Sequence, residues 1–156
     1  SIAGQESWYV KRQLKNFKAG IRGANAKDKF GMQMRPMALT LTDDNAIADM
    51  AAYISSMPQV KSPENTVKGD IVSGKKSYMI CQTCHGSKGG GNRALNAPKL
   101  TGLQDWYIVR QLKNYKAGIR GTKSGDNYGM QMRPMAMTLV SDEAINNVAA
   151  YIATLK

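Results

Sequence analysis

Apolar residues recur along this chain at helical spacing rather than in alternation. Between Gln104 and Gly118, Ile108, Leu112, Tyr115 and Ile119 follow one another at intervals of four and three, and so share one helix face. Gly118 stands where a helix would close in a left-handed turn. Leu14, Phe17 and Ile21, with Gly20, repeat the pattern near the start. A second stripe, Ile145, Val148, Ala149, Ile152 and Leu155, opens with Ser141-Asp142-Glu143. Its counterpart Ile47, Met50, Ala51, Ile54 and Met57 opens with Thr42-Asp43-Asp44. Side-chain oxygens and negative charge satisfy the free amides of a first turn, so both stripes predict capped helices. Strand patterns are weak throughout, and the chain reads as all-α.

These doublings belong to one repeat. A shift of 98 residues aligns Trp8 to Met57 with Trp106 to Leu155 without a gap, roughly three positions in five being identical, RQLKN, KAGIRG and GMQMRPMA among them. Two like domains are predicted, 1–57 and 68–156, joined by a linker at 58–67 inside the proline-containing polar stretch Ser55 to Lys68. The second copy alone carries Gly69 to Pro98. Domains of this size bury so little surface that they need a disulfide, a metal or a cofactor. Cys81 and Cys84 are the only cysteines among 156 residues, and a disulfide between them would close too small a loop to serve. A cofactor is expected instead.

The run Cys81-Gln82-Thr83-Cys84-His85 supplies its chemistry. Two thiols three apart on one turn can each add to a vinyl group of a haem, and the next imidazole then points at the iron. Zinc would need further ligands, but His85 is the only histidine. A thiol redox pair would sit in an α/β pattern that is missing here. A second axial ligand then falls to a thioether. Met130, Met132, Met135 and Met137 cluster in a segment that Gly129 and Pro134 mark as a loop, and composition does not choose among the four. Gly89-Gly90-Gly91 lacks the lysine and hydroxyl of a phosphate loop; it lets the chain turn close to a flat haem edge.

CQTCHG, the glycine-rich loop to APKLTG, WYIVRQLKNYKAG, the methionine segment and the final SDEAINNVAAYI together resemble the class I cytochromes c, closest to the two-haem cytochrome c4 family. The resemblance spans the whole chain and implies two tandem class I cytochrome c-like domains. The first lacks the N-terminal helix and CxxCH segment of the family. It implies haem c on Cys81 and Cys84, with His85 and Met132 on the iron, Met132 standing seven residues before Leu139; Met130 and Met135 are the alternatives. Met34, seven before Leu41, would be the corresponding ligand of a first-domain haem. The resemblance also implies a hydrogen bond from His85 to the Pro98 carbonyl, and places Trp106 and Arg110 beside the haem propionates, with Trp8 and Arg12 as their repeat partners. Core packing is the other reading of Trp106.

The first copy has neither CxxCH nor histidine. Three explanations stay open: a leading segment outside this sequence, a partner chain or second copy supplying haem and histidine opposite Met34, or a haemless docking module.

Formal charge is +11, with nine basic and six acidic residues in 1–67 against thirteen and five in 68–156. No nucleic-acid motif accompanies it. A basic face suits brief docking to acidic redox proteins, including a membrane oxidase or reductase. No apolar run of eighteen residues occurs, and Ser1 to Tyr9 has no signal-peptide pattern, so any export signal is expected to have been removed. The expectation is a periplasmic electron carrier rather than an enzyme. The alternatives are the cytochrome subunit of a larger oxidoreductase, or an assembly in which a partner chain completes the first domain.

Overall fold

The computed structural model describes residues 1–59 and 66–155. Among these, seven helices form, and the only extended pairing is one antiparallel bridge between Asn92 and Ala97. The first unit contains α1 (Ser7–Lys18), α2 (Lys29–Leu39) and α3 (Asp44–Ser56). The second contains α4 (Ile71–His85), α5 (Asp105–Lys116), α6 (Asn127–Met137) and α7 (Asp142–Thr154). Each unit has its own core. Val10, Leu14, Phe17, Ile47 and Ile54 pack together in the first; Tyr78, Ile108, Leu112, Ile145 and Ile152 pack in the second.

Local signals set most helix ends. Gly20 and Gly118 close α1 and α5 with φ of 66° and 68°. The Asp43 carboxylate accepts from the Ala46 amide at 2.8 Å, and the Ser141 hydroxyl from the Ala144 amide at 3.1 Å. Within Thr42-Asp43-Asp44 the cap of α3 is therefore Asp43.

The methionine segments are helices, which corrects the loop reading. Asp126 caps α6 by accepting from the Gly129 amide at 3.1 Å, and Asp28 does the same for Gly31 at 3.0 Å in α2. Gly129 and Gly31 lie so tightly on those carboxylates that a Cβ at either would collide with them. The glycines thus mark a capped first turn. Pro134 and Pro36 sit inside the helices at the loss of one amide donor each, a cost met by the cap and by methionine and alanine, which favour helix.

Helix α4 crosses α7 at close range because Gly74 meets the Asn147 backbone. A Cβ on Gly74 would lie 2.6 Å from the Asn147 carbonyl carbon, and closer still to its oxygen. The Asp70 amide donates to Asn147 Oδ1 at 2.7 Å, and the Tyr78 and Tyr151 rings meet at 5.3 Å. No counterpart of α4 covers α3 among the described residues. Val148 is 1% exposed, but its repeat partner Met50 is 39% exposed, and Tyr53 is exposed as well. Met50 thus departs from the buried stripe that its spacing predicts.

Ser55 and Ser56 finish α3 rather than opening a linker, and residues 60–65 of the predicted linker lie outside the described residues. On either side of them the chain is tied to the second unit. Gln59 donates to the Thr101 carbonyl at 2.8 Å, while Asp105 accepts from the Val67 amide at 2.7 Å and the Thr66 hydroxyl at 3.0 Å. Burial alone would raise the Asp105 pKa, but these bonds and one from the Trp106 amide outweigh it and hold the carboxyl below its ordinary value. The stabilisation is therefore complete above the usual carboxylate range and is lost as pH falls through the lower folded-state value. Asp105→Asn is expected to flatten the acid limb of stability below about pH 4, as read by melting temperature against pH; an unchanged limb would exclude the role.

The units meet across a pseudo-two-fold joint made by repeat-related residues. Arg22 donates to Gln13 at 2.7 Å and across the joint to Gln111 at 3.3 Å. Arg120 donates to Gln111 at 2.6 Å and across to Gln13 at 3.5 Å. Both guanidinium groups are buried, each over its own unit's ring, Phe17 or Tyr115. Two of the basic residues therefore contribute nothing to an outer docking face.

Candidate functional site

The candidate site is built at the C-terminal end of α4. Cys81, Cys84 and His85 occupy its last turns, and both cysteines are half-buried and not joined to each other. Burial pushes the Cys81 thiol up to about 11, which disfavours the thiolate that disulfide exchange needs. His85 is buried, with Nδ1 2.7 Å from the Pro98 carbonyl oxygen. That oxygen can only accept, so Nδ1 carries the proton and Nε2 keeps a free lone pair. Burial lowers the His85 pKa and the Pro98 bond opposes this; the net shift is downward and favours the neutral ring that a metal requires.

The loop after α4 folds back to hold Pro98 in place. Gly91, at φ 85°, lies against the Pro98–Lys99 peptide, where a Cβ would fall 2.7 Å from the Lys99 nitrogen. The Leu100 amide donates to the Gly89 carbonyl at 2.8 Å, and the Gly91 amide to the His85 carbonyl at 2.9 Å. Gly89 and Gly91 thus serve backbone packing beside the histidine. Tyr78 donates to the Gly86 carbonyl at 2.8 Å and closes the end of the helix.

Of the four clustered methionines in α6, Met132 packs against the second core, as does Cys81. Met130 and Met137 are about half exposed, and Met135 is half-buried. Met34, the repeat partner of Met132, is 38% exposed on α2. Trp106 is 39% exposed. Arg110 lies 4.7 Å from the Trp106 ring centroid and 3.5 Å from that of Phe30 across the joint. Arg12 lies 5.0 Å from Trp8 and 4.4 Å from Tyr128 of the second unit. The structure therefore brings both tryptophan–arginine pairs to the joint between units. Trp8 Nε1 and Arg12 Nε are buried without a hydrogen-bond partner.

The residues of the second unit fit a haem bound through thioethers. Two thiols share one turn, a neutral imidazole presents Nε2, and a thioether packs on the same core. Among the described residues, no group of three His, Cys, Asp or Glu side chains gathers to hold a bare metal ion. The first unit does not fit by itself, having neither cysteine nor histidine.

The family pattern described as cytochrome c matches residues 71–156. A cytochrome c4 of Azotobacter vinelandii is 32% identical over 165 residues, covering 99% of this chain and 75% of that protein. The chain belongs to the cytochrome c4 family. The reduced recombinant cytochrome c4 of Pseudomonas stutzeri superposes with a TM-score of 0.76 at 29% identity, covering 99% of this chain and 84% of that one. A thiosulfate dehydrogenase electron acceptor of Stutzerimonas stutzeri is 27% identical, covering 99% of this chain and 69% of that protein. The all-α architecture of two cytochrome c-like units is thus that of an electron-transfer cytochrome with haem c as its cofactor.

The sequence alone did not single out Gln5, Glu6, Asn96 or the Arg22–Arg120 joint. For the joint a signal was present: Gln13, Arg22 and their partners are polar residues that both copies retain at positions off the apolar stripes.

Proposed function

We infer that the second unit, 68–156, holds haem c through thioethers from Cys81 and Cys84, with His85 and Met132 as axial ligands. Bound there, the haem supplies one exchangeable electron. The chain's own residues set the conditions. Pro98 orients His85 through Nδ1, Met132 would supply the second ligand and so keep small molecules from the iron, and the second core excludes water. The observation that carries this reading is the buried His85 ring, whose Nδ1 is engaged by Pro98 while Nε2 is free. Trp106 and Arg110, with Trp8 and Arg12, would lie on the propionate side of the haem. The chain carries single electrons in the periplasm, where covalent haem attachment of this type is completed, and passes them to a terminal oxidase or reductase. Acidic redox proteins are its partners, and the thiosulfate dehydrogenase electron acceptor among its relatives favours an oxidising enzyme as donor.

A first-unit haem, with Met34 as ligand, is the second reading, and the uncovered face of α3 favours it. Asp49, Met50 and Tyr53 there match Asn147, Val148 and Tyr151, the residues over which α4 packs in the second unit. A CxxCH helix laid on that face would complete the domain 1–57, with residues 58–67 linking the two. Haem counting by intact mass tests it: a single haem in the full-length protein as isolated, with no companion peptide, removes it.

Met132→Ala is expected to abolish the absorbance band of methionine sulfur on ferric iron and to open the iron to carbon monoxide. Met130→Ala and Met135→Ala are expected to keep the band. Loss of the band in either of those variants, with its retention in Met132→Ala, would overturn the ligand assignment.

A further inference from the structure

The first unit reaches the peptide group that holds the proximal histidine. The Pro98 carbonyl accepts from His85 Nδ1 at 2.7 Å, and the N–H of that same peptide, on Lys99, donates to Glu6 Oε2 at 3.1 Å. Three further contacts fix the segment from the same side. Gln5 Nε2 donates to the Lys99 carbonyl at 3.1 Å, and Arg12 donates to Asn96 Oδ1 at 3.0 Å and to its carbonyl at 2.9 Å. Asn96, at φ 55°, is the one non-glycine residue with positive φ among those described, a conformation that costs free energy unless its surroundings hold it. Gly91 backs the same peptide from within the second unit.

Glu6 is free for this task. It is the N-cap residue of α1, yet its side chain caps nothing in its own helix. Its repeat partner in the second unit is Gln104, which carries no charge.

We propose that Glu6 is a positioning residue for the second unit's iron ligand, acting through the chain Glu6 carboxylate, Lys99 N–H, Pro98 C=O and His85 Nδ1–H. A carboxylate on a peptide N–H shifts electron density toward the carbonyl oxygen and makes it a better acceptor, since hydrogen bonds in series polarise one another. A stronger bond at Nδ1 makes Nε2 a stronger donor and favours ferric over ferrous iron. Docking of the first unit thereby lowers the reduction potential of the second unit's haem. This inference rests on His85 being the iron ligand.

The test uses the holoprotein with Glu6→Gln, which keeps an oxygen on the Lys99 amide without its charge, and Glu6→Ala, which removes the acceptor. The His85 Nδ1 proton is expected to move upfield in NMR and the Lys99 amide to exchange faster, both in the order parent, Gln, Ala. The ferric–ferrous equilibrium is expected to shift toward ferrous by about threefold or more in Glu6→Ala, where tenfold would be about 59 mV. A changed potential with the Nδ1 proton unmoved would reduce Glu6 to a nearby charge and overturn the proposal, as would no change in either. Absence of covalent haem, or of its methionine-sulfur band, in the parent protein would instead overturn the ligand assignment beneath it.

Discussion

Replacing both Cys81 and Cys84 with serine is expected to leave a polypeptide at its bare mass, with any porphyrin removable by acidified organic solvent. Serine hydroxyls do not add to vinyl groups as thiols do, and the chain has no other cysteine to take over. The effect extends beyond chemistry. Cys81, Met132 and Leu155 all pack on the second core, so a lost haem would open the space that they border. A unit of this size has few other sources of stability. The variant is expected to melt well below the parent and to show a broadened transition for the second unit. Covalent haem persisting in the double variant would remove CxxCH from the site.

Substituting Gly74 by valine has the second large expected effect, this time on the fold. The added Cβ would enter the Asn147 backbone, which cannot swing aside as a flexible side chain can. Either α4 lifts from α7 or the crossing angle changes, and the Asp70–Asn147 bond and the Tyr78–Tyr151 contact go with it. Overpacking against backbone places the loss at roughly 3 kcal/mol, or a fall on the order of 10 °C or more in the melting temperature of a domain this small. Chemical denaturation of the holoprotein measures it. A change below about 1 kcal/mol would show that the crossing is not fixed there. Haem would still be attached during maturation, which separates this outcome from that of the cysteine variant.

What could be read beforehand was whatever the chain writes locally. The helical spacing of Ile108, Leu112 and Tyr115, the left-handed glycines, the Asp43 and Ser141 caps and the CQTCH run each act within a few residues of one another. Repetition strengthened the reading by showing most of it twice. In the methionine helices Pro134 weighs locally against helix, whereas the decisive feature is the tight Asp126–Gly129 cap, whose glycine looks like a loop signal in the sequence. Met50 departs from its stripe for a different reason. Periodicity identifies an apolar face but says nothing of whether another helix lies on it, and α4 has no described counterpart over α3. The Glu6–Lys99 contact was beyond sequence reasoning altogether, because the two residues stand 93 positions apart with no pattern linking them.

The joint of Arg22, Arg120, Gln13 and Gln111 also carries a consequence for how such a chain arises. When one gene segment is copied in tandem, a surface that matches itself under a half-turn needs no invention: every side chain is present on both sides from the first generation. The crossed pairing retains that heritage, while the neighbouring Glu6 and Gln104 have already diverged. A descendant can therefore become lopsided at its edges, one half adjusting the other, without losing the handshake at its centre.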